Sequence, residues 1–347
     1  MDEATFHDLL QRGSKYNASD ALFKVGQPPA FRVSGALHYL QGEKLRPEHT
    51  EALARIVMQR GRKPVGDLSE LMEHDTAYSV PGVGRYRVNV YRQRGTLALA
   101  LRSIPLQIPT FEELGAPPVV RTLCEFERGL VLVVGAAGNG KSSTLASMIG
   151  YLNQTQRMHI VTIEDPIEFL HQDALGTISQ REIGIDTPDF ATALRAALRQ
   201  DPDVILVGEV RDEETMDIAL KAAETGHLVL ATLHTPDVAR TVGRVVSLTA
   251  QSDPSEVRER LADNLKGVVA QRLIPAASGE GRVLVCEALV VTGTARESIR
   301  KPDGSMPLKE VMERGVHPYG MQTFEMHLRQ LVTTGQVSVD VARQALG

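Results

Sequence analysis

The segment Gly135-Ala136-Ala137-Gly138-Asn139-Gly140-Lys141-Ser142-Ser143 carries the pattern G-x-x-x-x-G-K-[ST]. Its chemistry is phosphate binding. The glycines let backbone N–H groups turn inward around phosphate oxygens. Lys141 supplies a point charge for the outer phosphates, and the Ser142 hydroxyl suits Mg²⁺. A helix starting at Lys141 adds its positive end.

Acids follow two hydrophobic runs. Asp203-Val-Ile-Leu-Val-Gly-Glu209 delivers Glu209 just past a strand, where a carboxylate orients either the Mg²⁺ shell, with Ser142 and through water, or the attacking water. Thr162-Ile-Glu164-Asp165-Pro166-Ile-Glu168 ends a strand in Glu164, a candidate general base on water attacking a γ-phosphate. The run 226–235 carries His227 and His234. At about 3.3 Å per strand residue they stand on the order of 20 Å apart and cannot share one metal ion. His234 sits where it can sense the γ-phosphate. His227 is either a packed histidine or an inter-subunit residue.

Phosphoryl transfer also needs positive charge at the transition state. Arg85, Arg87, Arg92, Arg94 and Arg102 lie on two adjacent strands. Alternation puts Arg85 and Arg87 on one face, and Arg92 and Arg94 together. They are either a solvated strand face or fingers for a nucleotide of the same or a neighbouring subunit. Arg195 and Arg199 share a helix face. They and Arg211 read as clamp or interface residues, or as surface ion pairs.

These residues need a scaffold. GLVLVV (129–134), HIVTI (159–163), DVILV (203–207) and HLVLATL (227–233) are strands alternating with helices at about 141–153, 188–199 and 212–224. That grammar predicts a parallel sheet covered on both faces. The P-loop, Glu164, Glu209 and His234 then fall on one edge, past the strands' C-terminal ends, where open parallel sheets bind ligands. Upstream, a helix at 5–17, strands at 21–25, 30–40, 76–80, 85–91 and 96–102 and a helix at 47–60 suggest a small α+β module. The proline-rich stretch 104–118 reads as a linker. Beyond about 253 the chain reads as mainly helical, with one strand pair near 282–291 and helices near 307–313, 323–332 and 338–345.

With 347 residues, two domains are expected, over 1–110 and 111–347. A 42% apolar content excludes a disordered chain. Charge nearly balances, at 38 basic against 43 acidic residues, and aromatics are 4%. Both disfavour direct nucleic-acid binding. Cys124 and Cys286 have no short metal-ligand spacing, so neither zinc nor a disulfide framework follows. No apolar run is long enough to span a bilayer, which predicts a cytoplasmic protein.

The stretches GAAGNGKSS (135–143), TIEDPIEF (162–169), ALRQDPDVILVGEVRDEETMD (197–217) and AETGHLVLATLHT (223–235) resemble the Walker A, Asp box, Walker B and His box of the secretion ATPases. The nearest resemblance is to the PilT/PilU group of type IV pilus retraction motors. It covers almost the whole chain, including 18–35 and 320–332. The resemblance implies an α/β fold: a small PAS-like α+β N-terminal domain, then a RecA-like P-loop ATPase domain with a helical C-terminal region. It implies ATP and Mg²⁺, with ATP between the two domains and a homohexameric ring. The ring would dock peripherally on the inner-membrane pilus machine, against a platform protein and alongside a paralogous retraction ATPase. By position, Lys141 and Ser142 bind phosphate and Mg²⁺, Glu164 is the catalytic glutamate and Glu209 the Walker B acid. His227 and His234 are the His-box histidines, and Arg85, Arg87, Arg94 and Arg102 match the arginine-bearing strands.

The chain lacks the cysteines of the zinc insertion usual in extension and secretion ATPases, which favours retraction. It departs from the family in Walker A, which usually reads GPTGSGKST, and at Ala295-Arg-Glu-Ser-Ile-Arg300, where the retraction enzyme has Ala-Ile-Arg-Asn-Leu-Ile. MIGYLNQ (148–154) and EVRDEETMD (209–217) lean toward PilU. The expected function is a hexameric motor hydrolysing ATP to retract type IV pili. The alternative is a PilU-like accessory ring modulating another retraction ATPase.

Overall fold

The computed structural model describes residues 1–59, 68–105, 107–249 and 253–346. Two compact units emerge, Met1–Gln107 with Pro166–Leu170, and Ile108–Asp165 with His171–Gly347. Among the described residues no helix is long and apolar enough to cross a membrane.

Among the described residues the first unit holds a six-stranded antiparallel sheet and two helices. Its elements are α1 (Glu3–Lys15), β1 (Asp20–Lys24), β2 (Ala30–Val33), β3 (Ala36–Tyr39), α2 (Pro47–Met58), β4 (Glu73–Val80), β5 (Gly84–Gln93) and β6 (Thr96–Ile104). The strand order is β3-β2-β1-β6-β5-β4. Alternation decides the faces. Tyr86, Val88 and Val90 of β5 are buried, while Arg87 between them is exposed. Phe6 of α1 meets Phe23 edge-on at 5.4 Å between ring centroids. The strand expected over 30–40 is two strands, because Ser34 and Gly35 turn the chain with φ of 49° and 83°. The expected helix over 47–60 runs to Met58; its expected last residue, 60, lies outside the described residues.

The second unit holds a seven-stranded sheet of order β13-β12-β7-β11-β10-β8-β9. These strands are β7 (Gly129–Val134), β8 (His159–Glu164), β9 (Thr177–Glu182), β10 (Val204–Val207), β11 (Leu228–Leu233), β12 (Leu265–Pro275) and β13 (Arg282–Val290). All pair in parallel except β13, which joins β12 as an antiparallel edge. Every residue of β7, β10 and β11 is buried, as a sheet covered on both faces requires. The helices are α3 (Phe111–Leu114), α4 (Val119–Cys124), α5 (Lys141–Thr155), α6 (Phe190–Ala197), α7 (Glu213–Glu224), α8 (Val238–Leu248), α9 (Pro254–Asn264), α10 (Gly293–Arg300), α11 (Leu308–Arg314), α12 (Phe324–Thr333) and α13 (Val339–Leu346).

Three expectations need correction. The stretch 104–118 holds the boundary, since the first unit ends at Gln107 and the second begins at Ile108, but Phe111–Leu114 within it is helical. Thr110 and Glu113 cap α3 reciprocally, and buried Phe111 packs on Tyr151 at 5.7 Å between centroids. The strand pair expected near 282–291 is present but begins earlier, because its first strand is β12, which also extends the central sheet beside β7. Gly267 disguises that strand, yet it is required there: a Cβ would stand 2.4 Å from Leu123 Cδ2 and 2.7 Å from the Leu289 carbonyl. Helix α8 was not expected. Asp237 caps α8 by accepting from the Arg240 amide, while Gly243 inside it masks the helical pattern.

Candidate functional site

The carboxyl edge of the parallel strands collects residues from four consecutive neighbours. In spatial order they are the P-loop after β7, His234 after β11, Glu209 after β10 and Glu164 at the end of β8. At roughly 4.8 Å per strand, three steps separate the first from the last, about 14 Å.

Backbone conformation shapes the P-loop. Gly135, Gly138 and Gly140 have φ of 147°, 77° and 81°. A Cβ on Gly135 would lie 2.5 Å from the Gln271 carbonyl oxygen. Gly140 caps α5, whose first turn carries Lys141, Ser142 and Ser143. Ala136 and Ala137 are exposed at the loop's crown. The loop is fastened to the β12–β13 hairpin at two points. The Leu273 amide donates to Asn139 Oδ1 at 3.1 Å, and Arg282 Nη1 donates to the Gly138 carbonyl at 3.2 Å.

Lys141 is buried, and its ammonium donates to the Gly135 and Ala136 carbonyls at 2.9 and 3.1 Å. It also lies 3.4 Å from His234 Nδ1. An ammonium only donates, so Nδ1 accepts and Nε2 carries the proton. Nε2 faces Glu209 Oε1 at 3.0 Å. The other Glu209 oxygen accepts from Arg211 Nη2 at 2.7 Å, and Arg211 Nη1 lies 3.8 Å from Asp165 Oδ2. A polar chain thus runs Lys141–His234–Glu209–Arg211–Asp165 along the sheet edge. Burial alone would raise the Glu209 carboxyl. The Arg211 hydrogen bond comes first, and with His234, Arg211 and Lys141 close by it outweighs that effect and holds the group below the usual carboxylate range.

Glu164 accepts from Thr162 Oγ1 at 2.7 Å and from Gln180 Nε2 at 3.1 Å. Its strand is held close to the end of β10. The Gly208 amide donates to the Ile163 carbonyl at 2.8 Å, and a Cβ on Gly208 would stand 3.3 Å from Glu164 Cα.

The edge suits Mg²⁺ and a nucleoside triphosphate. Its positive-φ glycines and helix N-terminus form a phosphate cradle, Ser142 offers a hydroxyl, and Glu209 is kept ionised. No cluster of His, Cys, Asp and Glu among the described residues would hold a metal by itself.

His227 lies at the opposite end of β11 from His234. Its Nδ1 is 2.9 Å from the Ala222 carbonyl, so within the chain it closes the C-terminus of α7. Arg195 pairs with Glu214, joining α6 to α7, and Arg199 donates to the Arg195 carbonyl. Arg211 is exposed and takes the ion-pair alternative, its partners being Glu209 and Asp165.

The arginines belong to the first unit. Arg87 and Arg102 face each other across β5 and β6, and Asp20 is next in the same row. Arg102 Nε lies 3.1 Å from Asp20 Oδ1, and Arg85 Nη1 lies 3.4 Å from Ser79 Oγ. Arg94 departs from the expected grouping. It is not on the strand but in the β5–β6 turn, at φ 47°, seven residues and on the order of 20 Å from Arg87. Arg92 is also spoken for, donating to the carbonyls of Leu68, Ser69, Leu71 and Gly95.

Sequence reasoning missed the partners rather than the principals. The Thr162 contact follows from two-residue strand periodicity, since Thr162 and Glu164 share a face. The Gln180 contact and the fastening of Asn139 depend on strand order and left no local signal.

Residues 111–346 match the family model described as type II/IV secretion system protein. The chain is 42% identical over 337 residues to the type IV pilus retractation ATPase PilT of Pseudomonas aeruginosa, covering 97% of this chain and 96% of that one. It is likewise 42% identical over 337 residues to the type IV pilus ATPase PilU of the same organism, covering 97% and 87%. Among solved structures, the pilus retraction motor PilT with bound ADP superposes with a TM-score of 0.86 at 43% identity, over 98% of this chain and 96% of that one.

Proposed function

The chain belongs to the type II/IV secretion system protein family, and from that premise we propose that it is a hexameric ATPase motor driving type IV pilus retraction. The observation that supports this reading is the polar chain from Lys141 through His234 to Glu209, with Glu164 on the next strand.

Lys141 moves its ammonium from the loop carbonyls onto phosphate oxygens. The P-loop amides and the start of α5 hold the remaining phosphate charge. Ser142 and Glu209 would hold Mg²⁺, which would supply charge to neutralise the phosphates. Glu164 takes the proton of the attacking water. His234 bonds both Lys141 and Glu209, so displacement of either residue is felt by the other. Arg85, Arg87 and Arg102 are the arginines assigned to transition-state charge. The motor docks on a membrane platform protein from the cytoplasmic side.

Mg²⁺-dependent ATP turnover tests this reading. Lys141→Ala and Glu164→Gln are expected to abolish it. Wild-type rates in both variants would sink the proposal.

The equal identity to PilU favours one second reading, an accessory ring acting on another retraction ATPase. It predicts nucleotide binding with turnover no higher than the Lys141→Ala background.

A further inference from the structure

Glu164 is a flexible side chain at the end of β8, and a general base must be held within hydrogen-bond reach of the proton it takes. Two donors converge on one of its oxygens. Thr162 Oγ1 donates to Oε1 at 2.7 Å, and Gln180 Nε2 donates to the same atom at 3.1 Å. They come from neighbouring strands and are register partners, Thr162 on β8 facing Gln180 on β9. Gln180 is itself oriented. The His171 backbone amide donates to its Oε1 at 2.9 Å. A backbone N–H only donates, so the Gln180 carbonyl must face His171 and its NH₂ must face Glu164. Thr162 is 1% exposed, which leaves its hydroxyl few other places to turn.

We propose that Thr162 and Gln180 are positioning residues for hydrolysis: together they occupy Glu164 Oε1 and thereby aim Oε2 at the attacking water. The proposal rests on the reading of Glu164 as general base. Two charge-assisted bonds to one oxygen oppose rotation of the carboxylate about its last torsion. Neither residue needs to touch the nucleotide, so neither should affect its binding.

The experiment measures ATP turnover and ADP affinity on the full chain with Mg²⁺ present. Thr162→Val removes only the hydroxyl at nearly constant shape, and Thr162→Ser restores it. Gln180→Ala removes the second donor from a half-buried position that tolerates truncation. Thr162→Val and Gln180→Ala are each expected to lower kcat roughly 10-fold or more, with ADP affinity unchanged and Thr162→Ser near wild type. In a Glu164→Gln background, single-turnover rates should fall no further on adding either change. Wild-type kcat in both variants would overturn the proposal. So would losses that add fully to that of Glu164→Gln, or a parallel loss of ADP affinity. Failure of the underlying reading looks different. There Glu164→Gln itself retains wild-type turnover, whereas failure of the positioning role alone leaves Glu164→Gln inactive and the Thr162 and Gln180 variants active.

Discussion

His234 Nε2 lies 3.0 Å from Glu209 Oε1, and the opposite ring nitrogen faces the Lys141 ammonium at 3.4 Å. One imidazole therefore connects the phosphate-binding lysine to the acid after β10. Its tautomer is dictated by those two neighbours, one of which only donates and the other of which, ionised, only accepts. With Arg211 on its second oxygen, Glu209 is a carboxylate committed to the charged state.

That commitment has a pH signature. The folded-state pKa of Glu209 lies below its ordinary value of 4.5. Its contribution to stability is therefore present above that value and lost as pH falls through the lower, folded one. Wild type should melt above Glu209→Gln at pH 7.5, and the gap should close on acidification below about pH 4.5. Thermal unfolding of both proteins from pH 7.5 to 3.5 measures this. A gap that widens in acid would contradict it.

Fastening of the P-loop to the β12–β13 hairpin should show in nucleotide affinity. Asn139→Ala removes the acceptor for the Leu273 amide. One hydrogen bond is worth about 1 kcal/mol, so the ADP Kd should rise roughly 3- to 10-fold. ADP titration checks it. Unchanged affinity would mean that the loop holds its shape without the hairpin.

Gly208 gives Glu164 its room. A Cβ there would stand 3.1 Å from the Ile163 carbonyl oxygen and 3.3 Å from Glu164 Cα. Gly208→Ala should cost about 1–3 kcal/mol of stability through overpacking. It should lower kcat about 10-fold, with ADP affinity held. Wild-type kcat would show that the approach of β10 to β8 does not position the base.

Arg87 and Arg102 are like charges directly opposed on neighbouring strands, an arrangement that costs stability. Asp20, next in the row, is at ion-pair distance from Arg102 and, on its other side, from Arg32. If Arg87 is kept for its charge, Arg87→Ala should unfold no earlier than wild type, with a gain of about 0.2–1 kcal/mol, while turnover falls at least about 10-fold. Paired melting and turnover measurements check both halves. Lower stability with full turnover would make Arg87 a structural residue.

The placement of the candidate site residues was legible because their signals are local. A hydrophobic strand followed by Gly135–Lys141, or ending in Glu164 or Glu209, announces itself within ten residues. Parallel-sheet grammar then puts those ends on one edge. Legibility stopped where tertiary context decided the outcome. Gln180 reaches Glu164 only because β9 pairs with β8 in one particular register. Strand β12 hides behind Gly267, which looks like a breaker until Leu123 is seen to occupy the missing Cβ's space. Arg94 was grouped with Arg92 because alternation was extended past the end of β5 into a turn of positive φ. The expected linker over 104–118 contains prolines, yet its capping pair Thr110 and Glu113 sits three residues apart, the spacing of a reciprocal cap.

Deletion of the encoding gene followed by complementation tests the central claim most directly, scored for surface pilus number and twitching. The account predicts excess pili that do not retract and loss of twitching, restored by the wild-type chain and not by Glu164→Gln. Loss of pili on deletion, or full rescue by Glu164→Gln, would contradict it.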